Sequence, residues 1–213
     1  MHRVFLLSPA NCGGRRAQIV MNPRATFPVA IQLHSPAGAT LGDVFSFVSG
    51  LYFRGKMEYA TAFADPPPGV SGSYILAPGA GLVEPGRRVT LEDLRKLASV
   101  PVDIREPAFT TPLEHHTRAL AAATGPDCEI VLLGSVATGK YVNILSNVLG
   151  DRFRFPQEFV GRGDMSRGGL MLRCVDDRRQ LTYVTVEGSA RHGARPARLE
   201  PRRPVGQRGL LSP

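Results

Sequence analysis

The apolar positions of the chain fall into two spacings. The run Ile130-Val-Leu-Leu133 has no polar alternation, which predicts a strand buried on both faces, and the glycine-bounded turn after it opens an amphipathic helix reaching Leu149. Arg3 to Ser8 and Ser73 to Ala77 predict two further strands, and Arg152 to Phe155 a short one. Val44, Phe47, Val48, Leu51 and Tyr52 recur at helical spacing, so residues 41–64 form one long helix or two shorter ones interrupted near Gly50 or Gly55. Thr40 is its N-cap and Pro66-Pro-Pro-Gly69 its stop. Thr90 to Ala98 and Pro112 to Ala123 predict helices, the second ended by Gly125-Pro126. Leu170 to Val175 and Leu181 to Val186 read as paired strands around an Asp176-Asp-Arg-Arg179 turn. The expected fold is α/β and three-layered: a mostly parallel sheet with helices on both faces and a C-terminal antiparallel hairpin, all within residues 1–187. Periodicity is lost from Gly188 onward, where Arg, Pro and Gly dominate, so 188–213 is expected to be a disordered tail.

Composition adds partners to this outline. The chain of 213 residues is 43% hydrophobic, enough for a core, and no apolar run reaches the length of a membrane span. The N-terminal apolar segment is too short for a secretory signal. Cys12, Cys128 and Cys174 are widely spaced with no C-x-x-C pair, which argues against a disulfide framework or zinc ribbon and fits a reducing cytoplasm. Cys12 is the one cysteine expected in a loop, where a thiol is open to act as a nucleophile. The net charge is +8, of which +5 lies in the tail, where six arginines face Glu200, leaving +3 for the body. Arginine outnumbers lysine 23 to 3. A GC-rich genome explains much of that ratio, and arginine's planar fork also suits phosphates.

In a parallel sheet ligands sit beyond the carboxyl ends of the strands, so candidate chemistry is sought in the loops there. The loop after the first strand offers Ser8, Asn11, Arg15 and Arg16 among small residues, as an ordinary polar turn also would. The loop Gly134 to Lys140 offers Gly134, Ser135 and Lys140. It fits G-x-x-x-x-G-K but not the phosphate loop of nucleotide hydrolases, because Tyr141 stands where a magnesium-binding Ser or Thr is required. A tight turn before a helix is the plainer reading. The segment Gly161 to Gly169 holds four glycines with Arg162, Asp164, Ser166 and Arg167, which favours a binding loop over a hairpin-like connection. Tyr52, Phe53, Arg54 and Lys56 are the part of the long helical segment that faces a ligand if any part does; an aromatic stripe is more often core. The adjacent His115 and His116 point about 100° apart on a helix and do not chelate one ion as a pair.

Leu6-Leu-Ser-Pro-Ala10, Leu51-Tyr52 and Ile75-Leu-Ala-Pro-Gly-Ala-Gly-Leu-Val-Glu-Pro85 together resemble the YaaA family of peroxide-stress proteins and related uncharacterised bacterial proteins. The resemblance spans roughly the first 95 residues. It departs at Asn11, where the family pattern has lysine, and after Pro85, where a Pro-Tyr-Arg segment is missing. It implies an α/β fold and an association with DNA or its protection in oxidative stress.

The leading functional reading is therefore a DNA-associated protein acting on a damaged or modified nucleobase in the manner of a DNA glycosylase, with no metal and no cofactor. Arg15, Arg16, Lys140, Arg162 and Arg167, with Ser8, Asn11, Gly134, Ser135 and Ser166, are the phosphate-binding candidates. Tyr52 and Phe53 are the candidates for stacking on an extruded base. Asp164, with Glu84 as a second choice, is the carboxylate for an oxocarbenium-like transition state, and its two flanking arginines suit a base or electrostatic role. A salt bridge would account for Asp164 equally well. The alternatives are a noncatalytic DNA-binding protein and a nucleotide-binding enzyme built on Gly134 to Lys140.

Overall fold

Three short runs that are hydrophobic on both faces lie side by side with a fourth whose two phenylalanines, Phe153 and Phe155, share one face. In the computed structural model, which describes residues 1–201, they are β1 (Arg3–Leu7), β3 (Ser73–Ala77), β6 (Glu129–Leu133) and β7 (Phe153–Pro156), all parallel. Two antiparallel strands flank them: β4 (Gly81–Val83) beside β3, and β8 (Tyr183–Thr185) beside β7. The order across the sheet is β4-β3-β1-β6-β7-β8. A separate two-residue pair joins β2 (Ala39–Thr40) to β5 (Arg88–Val89).

Alternate side chains of the central strands enter two cores. Phe5, Leu7, Ile75, Val131 and Leu133 pack under α1 (Arg15–Met21), α2 (Pro28–His34), α3 (Leu41–Ser49), α4 (Leu51–Phe63), α5 (Leu91–Ser99) and α8 (Asp164–Asp176). Val4, Leu6, Leu76, Ile130, Leu132, Phe153 and Phe155 pack under α6 (Pro107–Thr124) and α7 (Gly139–Leu149). The fold is thus a three-layer α/β sandwich. The chain leaves β1 on one face to reach β3, then crosses on the other face to β6, so the sheet reverses its winding between β1 and β6. In open α/β sheets ligands bind at the carboxyl ends of the strands on either side of such a reversal.

Local signals set most boundaries. The Thr40 side chain accepts the Asp43 amide and starts α3, and Thr90 with Asp93 forms a reciprocal capping box on α5. The long helical segment breaks at Gly50, whose φ of +62° is one that L side chains rarely adopt. Two differences from the sequence-based expectation matter. The glycine-rich segment is not a loop: after Gly163 it is the first half of α8, and Leu170 to Val175 continue that helix instead of forming a strand. The C-terminal antiparallel pair is accordingly β7 with β8, separated in sequence by α8. From Gly188 the chain has neither helix nor strand as far as Pro201, and Arg195 to Leu199 lie along α8. The remainder of the expected tail, 202–213, falls outside the described residues. Among the described residues no helix is long and apolar enough to cross a membrane.

Candidate functional site

The two strands at the reversal end on Ser8 and Gly134. The Ser8 amide donates to the Leu133 carbonyl at 3.3 Å and extends the β1–β6 pairing by one residue. A side chain at 134 would place its Cβ 2.8 Å from the Ser8 Cβ, so glycine there lets the two ends close. Beneath Ser8 lies Lys56 of α4, 1% exposed. Its ammonium donates to the Ser8 carbonyl at 2.9 Å and to the Ser8 Oγ at 2.7 Å, and sits 4.0 Å from the Tyr52 ring centre and 5.1 Å from that of Phe53.

Lys56 has no carboxylate within ion-pair distance among the described residues, so burial dominates its protonation. Desolvation lowers its pKa from the ordinary 10.5 to about 7; the charge of Asp164 opposes this and that of Arg167 adds to it. Burial likewise pushes the phenols of Tyr52 and Tyr141 above their usual range. The Tyr52 hydroxyl makes no hydrogen bond of ordinary geometry among the described residues, although the nearby Arg167 guanidinium favours its ionised form. Tyr141 donates to the Ser135 carbonyl at 3.2 Å, with the Ser8 hydroxyl beside it.

Above these groups opens a cleft of about 740 Å³, within the size range of small-molecule sites. Ser8, Asn11, Tyr52, Ser135, Lys140, Tyr141 and Asp164 line it, so loops after β1 and β6 and the ends of α4, α7 and α8 converge there. Asn11 is exposed, with its Oδ1 turned back to the Gly13 amide. Lys140 is exposed at the rim, and Asp164, whose side chain is 69% exposed, lies 3.6 Å from Arg167.

The other expected site residues lie elsewhere. Phe53 is fully buried edge-on against Phe45 and offers no face to a base. Gly134 is buried in the strand junction. Arg15 is exposed on α1, and Arg16 donates to the Phe47 carbonyl. Arg167 is buried and donates twice to the Phe159 carbonyl, which makes it a structural clamp beside the cleft. Arg162 donates to the Glu158 carbonyl and to Ser166. Arg162 and Ser166 line a second groove, of about 340 Å³, with Arg173, Arg195 and Arg198. Glu84 lines a third and larger cavity, about 900 Å³, between β3–β5 and α5, so it does not join Asp164. Cys12 is buried, and burial pushes its thiol up to about 11, which removes it as a thiolate nucleophile. No cluster of His, Cys, Asp and Glu among the described residues is arranged to hold a metal ion.

Of the site's members, Tyr141 has no role assigned from sequence, and Lys56 is named there only as one of four residues of the long helical segment that would face a ligand. Two of the chain's three lysines, Lys56 and Lys140, belong to this site. Comparison with protein-family models, curated proteins and solved structures finds no match to this chain, so its function is to be sought in the geometry of the cleft itself.

Proposed function

We propose that the protein binds nucleic acid and hydrolyses the N-glycosidic bond of one nucleobase taken into the cleft. One observation carries this reading. The first turn of α8 divides two concavities, with Asp164 lining the cleft while Gly163, Met165 and Ser166 line the groove that holds four arginines. Such an arrangement suits a strand whose phosphates follow Arg162, Arg173, Arg195 and Arg198 while one extruded base enters next door. Tyr52 and Tyr141 supply aromatic surface in the cleft, and Lys140 and Asn11 supply rim donors. Asp164 is the carboxylate for the charge that develops on the sugar, and Arg167 holds it from behind.

The test is incubation of the purified protein with duplex and single-stranded oligonucleotides carrying uracil, hypoxanthine, oxidised and alkylated bases. Alkali then reveals abasic sites on a gel, and binding is scored in parallel. Strand scission at one lesion, lost in Asp164→Asn, is the expected result. Neither binding nor scission with any substrate would remove the proposal.

A second reading, binding without catalysis, is favoured by the Asp164–Arg167 pair, since an exposed carboxylate held by an arginine is also an ordinary structural contact. Binding with intact bases throughout would select it. A free nucleotide in place of a strand is tested by adding ATP and GTP with magnesium to the same binding assay.

A further inference from the structure

We infer that Ser8 is a nucleophile with Lys56 as its proton acceptor, and that the cleft turns over an uncharged ester of a carboxylic acid. The inference goes beyond the nucleobase reading and uses different atoms, those of the cleft floor.

The geometry is that of a serine–lysine pair. Ser8, 6% exposed, is among the residues lining the cleft at the end of β1; its Oγ donates to the Leu133 carbonyl at 3.4 Å and lies 2.7 Å from the Nζ of Lys56, itself 1% exposed. A buried ammonium without a carboxylate partner is costly, which brings the neutral amine within reach near neutral pH. With the amine neutral, the Ser8 hydroxyl turns from its long 3.4 Å bond to the Leu133 carbonyl and donates to Nζ, and an N–H of the amine keeps its bond to the Ser8 carbonyl. This is the arrangement in which a general base activates an alcohol.

Every element packed around Lys56 bears on this balance. On its own helix the Tyr52 ring faces Nζ. From β1 comes Ser8, and from α8 come Asp164, which favours the charged amine, and Arg167, which disfavours it. Tyr141 of α7 places its hydroxyl beside Ser8. Burial outweighs the two opposed charges and brings the amine close to half-protonated at neutral pH. The Asp164 carboxylate at the same cleft disfavours an anionic electrophile over Ser8, which points to a neutral ester carbonyl.

In the first half of the reaction the Ser8 Oγ bonds to the ester carbonyl carbon as its proton moves to Lys56 Nζ. The ester C–O bond then breaks, and the leaving alkoxide takes that proton from Nζ, departing as alcohol and leaving an acylated Ser8. In the second half water adds to the acyl carbon, its proton passing to Nζ. The Oγ–C bond breaks, Ser8 recovers the proton, and the carboxylic acid is released. The sum is ester plus water giving acid plus alcohol.

The experiment treats the full chain with an alkyl fluorophosphonate, in which a Ser8 O–P bond would form, the P–F bond break and fluoride leave as the proton passes to Lys56. The expected result is one adduct on the Ser8 peptide by mass spectrometry, absent in Ser8→Ala and formed about 100-fold more slowly in Lys56→Met. The wild-type labelling rate should rise through about pH 7, a readout that does not depend on any variant folding. An unlabelled Ser8, equal labelling of Ser8→Ala, or a rate that is flat across neutrality would each overturn the inference, since a lysine that merely caps the end of β1 produces none of the expected effects.

Discussion

Gly55 of α4 and Gly168 of α8 meet with no room for a side chain on either. A Cβ at 55 would stand 2.8 Å from the Gly168 carbonyl oxygen, and a Cβ at 168 would stand 2.8 Å from the Leu51 carbonyl oxygen and 2.9 Å from the Tyr52 Cα. The obstacles are backbone atoms, so one helix must shift to admit a methyl group. Gly168→Ala should cost about 1–3 kcal/mol by urea denaturation. Because the crossing carries Asp164 and Arg167 over Tyr52 and Lys56, the same substitution should also displace the cleft wall. Full stability in Gly168→Ala would show that the helices have slack.

Lys56 makes stability depend on pH in a definite direction. The folded protein loses this proton near pH 7, and the unfolded chain keeps it to about 10.5. Between those values the unfolded state binds one more proton, so stability rises with pH; below about 7 the cost of the buried charge is felt in full. The slope should approach about 1.4 kcal/mol per pH unit above neutrality. From pH 9 to about 10.5 the rise is offset, because the Cys12 thiol is held to about 11 in the fold against an ordinary 9.0 and the unfolded chain then releases its proton first. Urea titrations between pH 7 and 9 should show the rise in the wild type and a flat profile in Lys56→Met. An undiminished rise in the variant would assign the proton to another group.

Arg195→Ala combined with Arg198→Ala should weaken DNA binding to a similar degree for every sequence, because phosphate contacts carry no base information. The slope of log affinity against log salt should become shallower by about 0.9 for each phosphate that an arginine no longer neutralises. Fluorescence anisotropy over a salt series measures both, and an unchanged slope would separate the arginine groove from nucleic-acid binding.

Asp164→Asn should lower any base release at least about 100-fold with binding retained. Its side chain is 69% exposed, so its melting temperature should stay at the wild-type value. Arg167→Ala should behave in the opposite way. It removes a buried guanidinium that donates twice to the Phe159 carbonyl, and thermal unfolding should report the loss before activity does.

Glu129 at the start of β6 lies between Arg3 of β1 at 2.7 Å and Arg154 of β7 at 2.8 Å, with its side chain 10% exposed. One carboxylate thus ties three adjacent parallel strands. Glu129→Gln leaves two largely covered guanidiniums facing a neutral amide and should cost about 3 kcal/mol in urea. A loss well below 1 kcal/mol would place the pair among ordinary surface bridges.

The strands β1, β3 and β6 and the cap at Thr40 were legible in the sequence because their causes are local. A run buried on both faces carries its own hydrophobic signature, and a capping side chain bonds an amide three residues away. The edge on which Ser8, Ser135 and Lys140 gather follows from parallel strands and needs no further information. The glycines of 161–169 are a different matter. Their low helix propensity argued for a loop, and α8 forms there all the same, because Gly168 lets the helix lie against Gly55 and bury Met171 and Cys174. That gain comes from a partner more than a hundred residues away, which no window of sequence contains. The same crossing decides that Asp164 faces the cleft while Arg162 and Ser166 face the arginine groove. Only the folded chain puts the Lys56 amine beneath the Ser8 hydroxyl, since each supplies to the other a hydrogen-bond partner that neither segment holds alone.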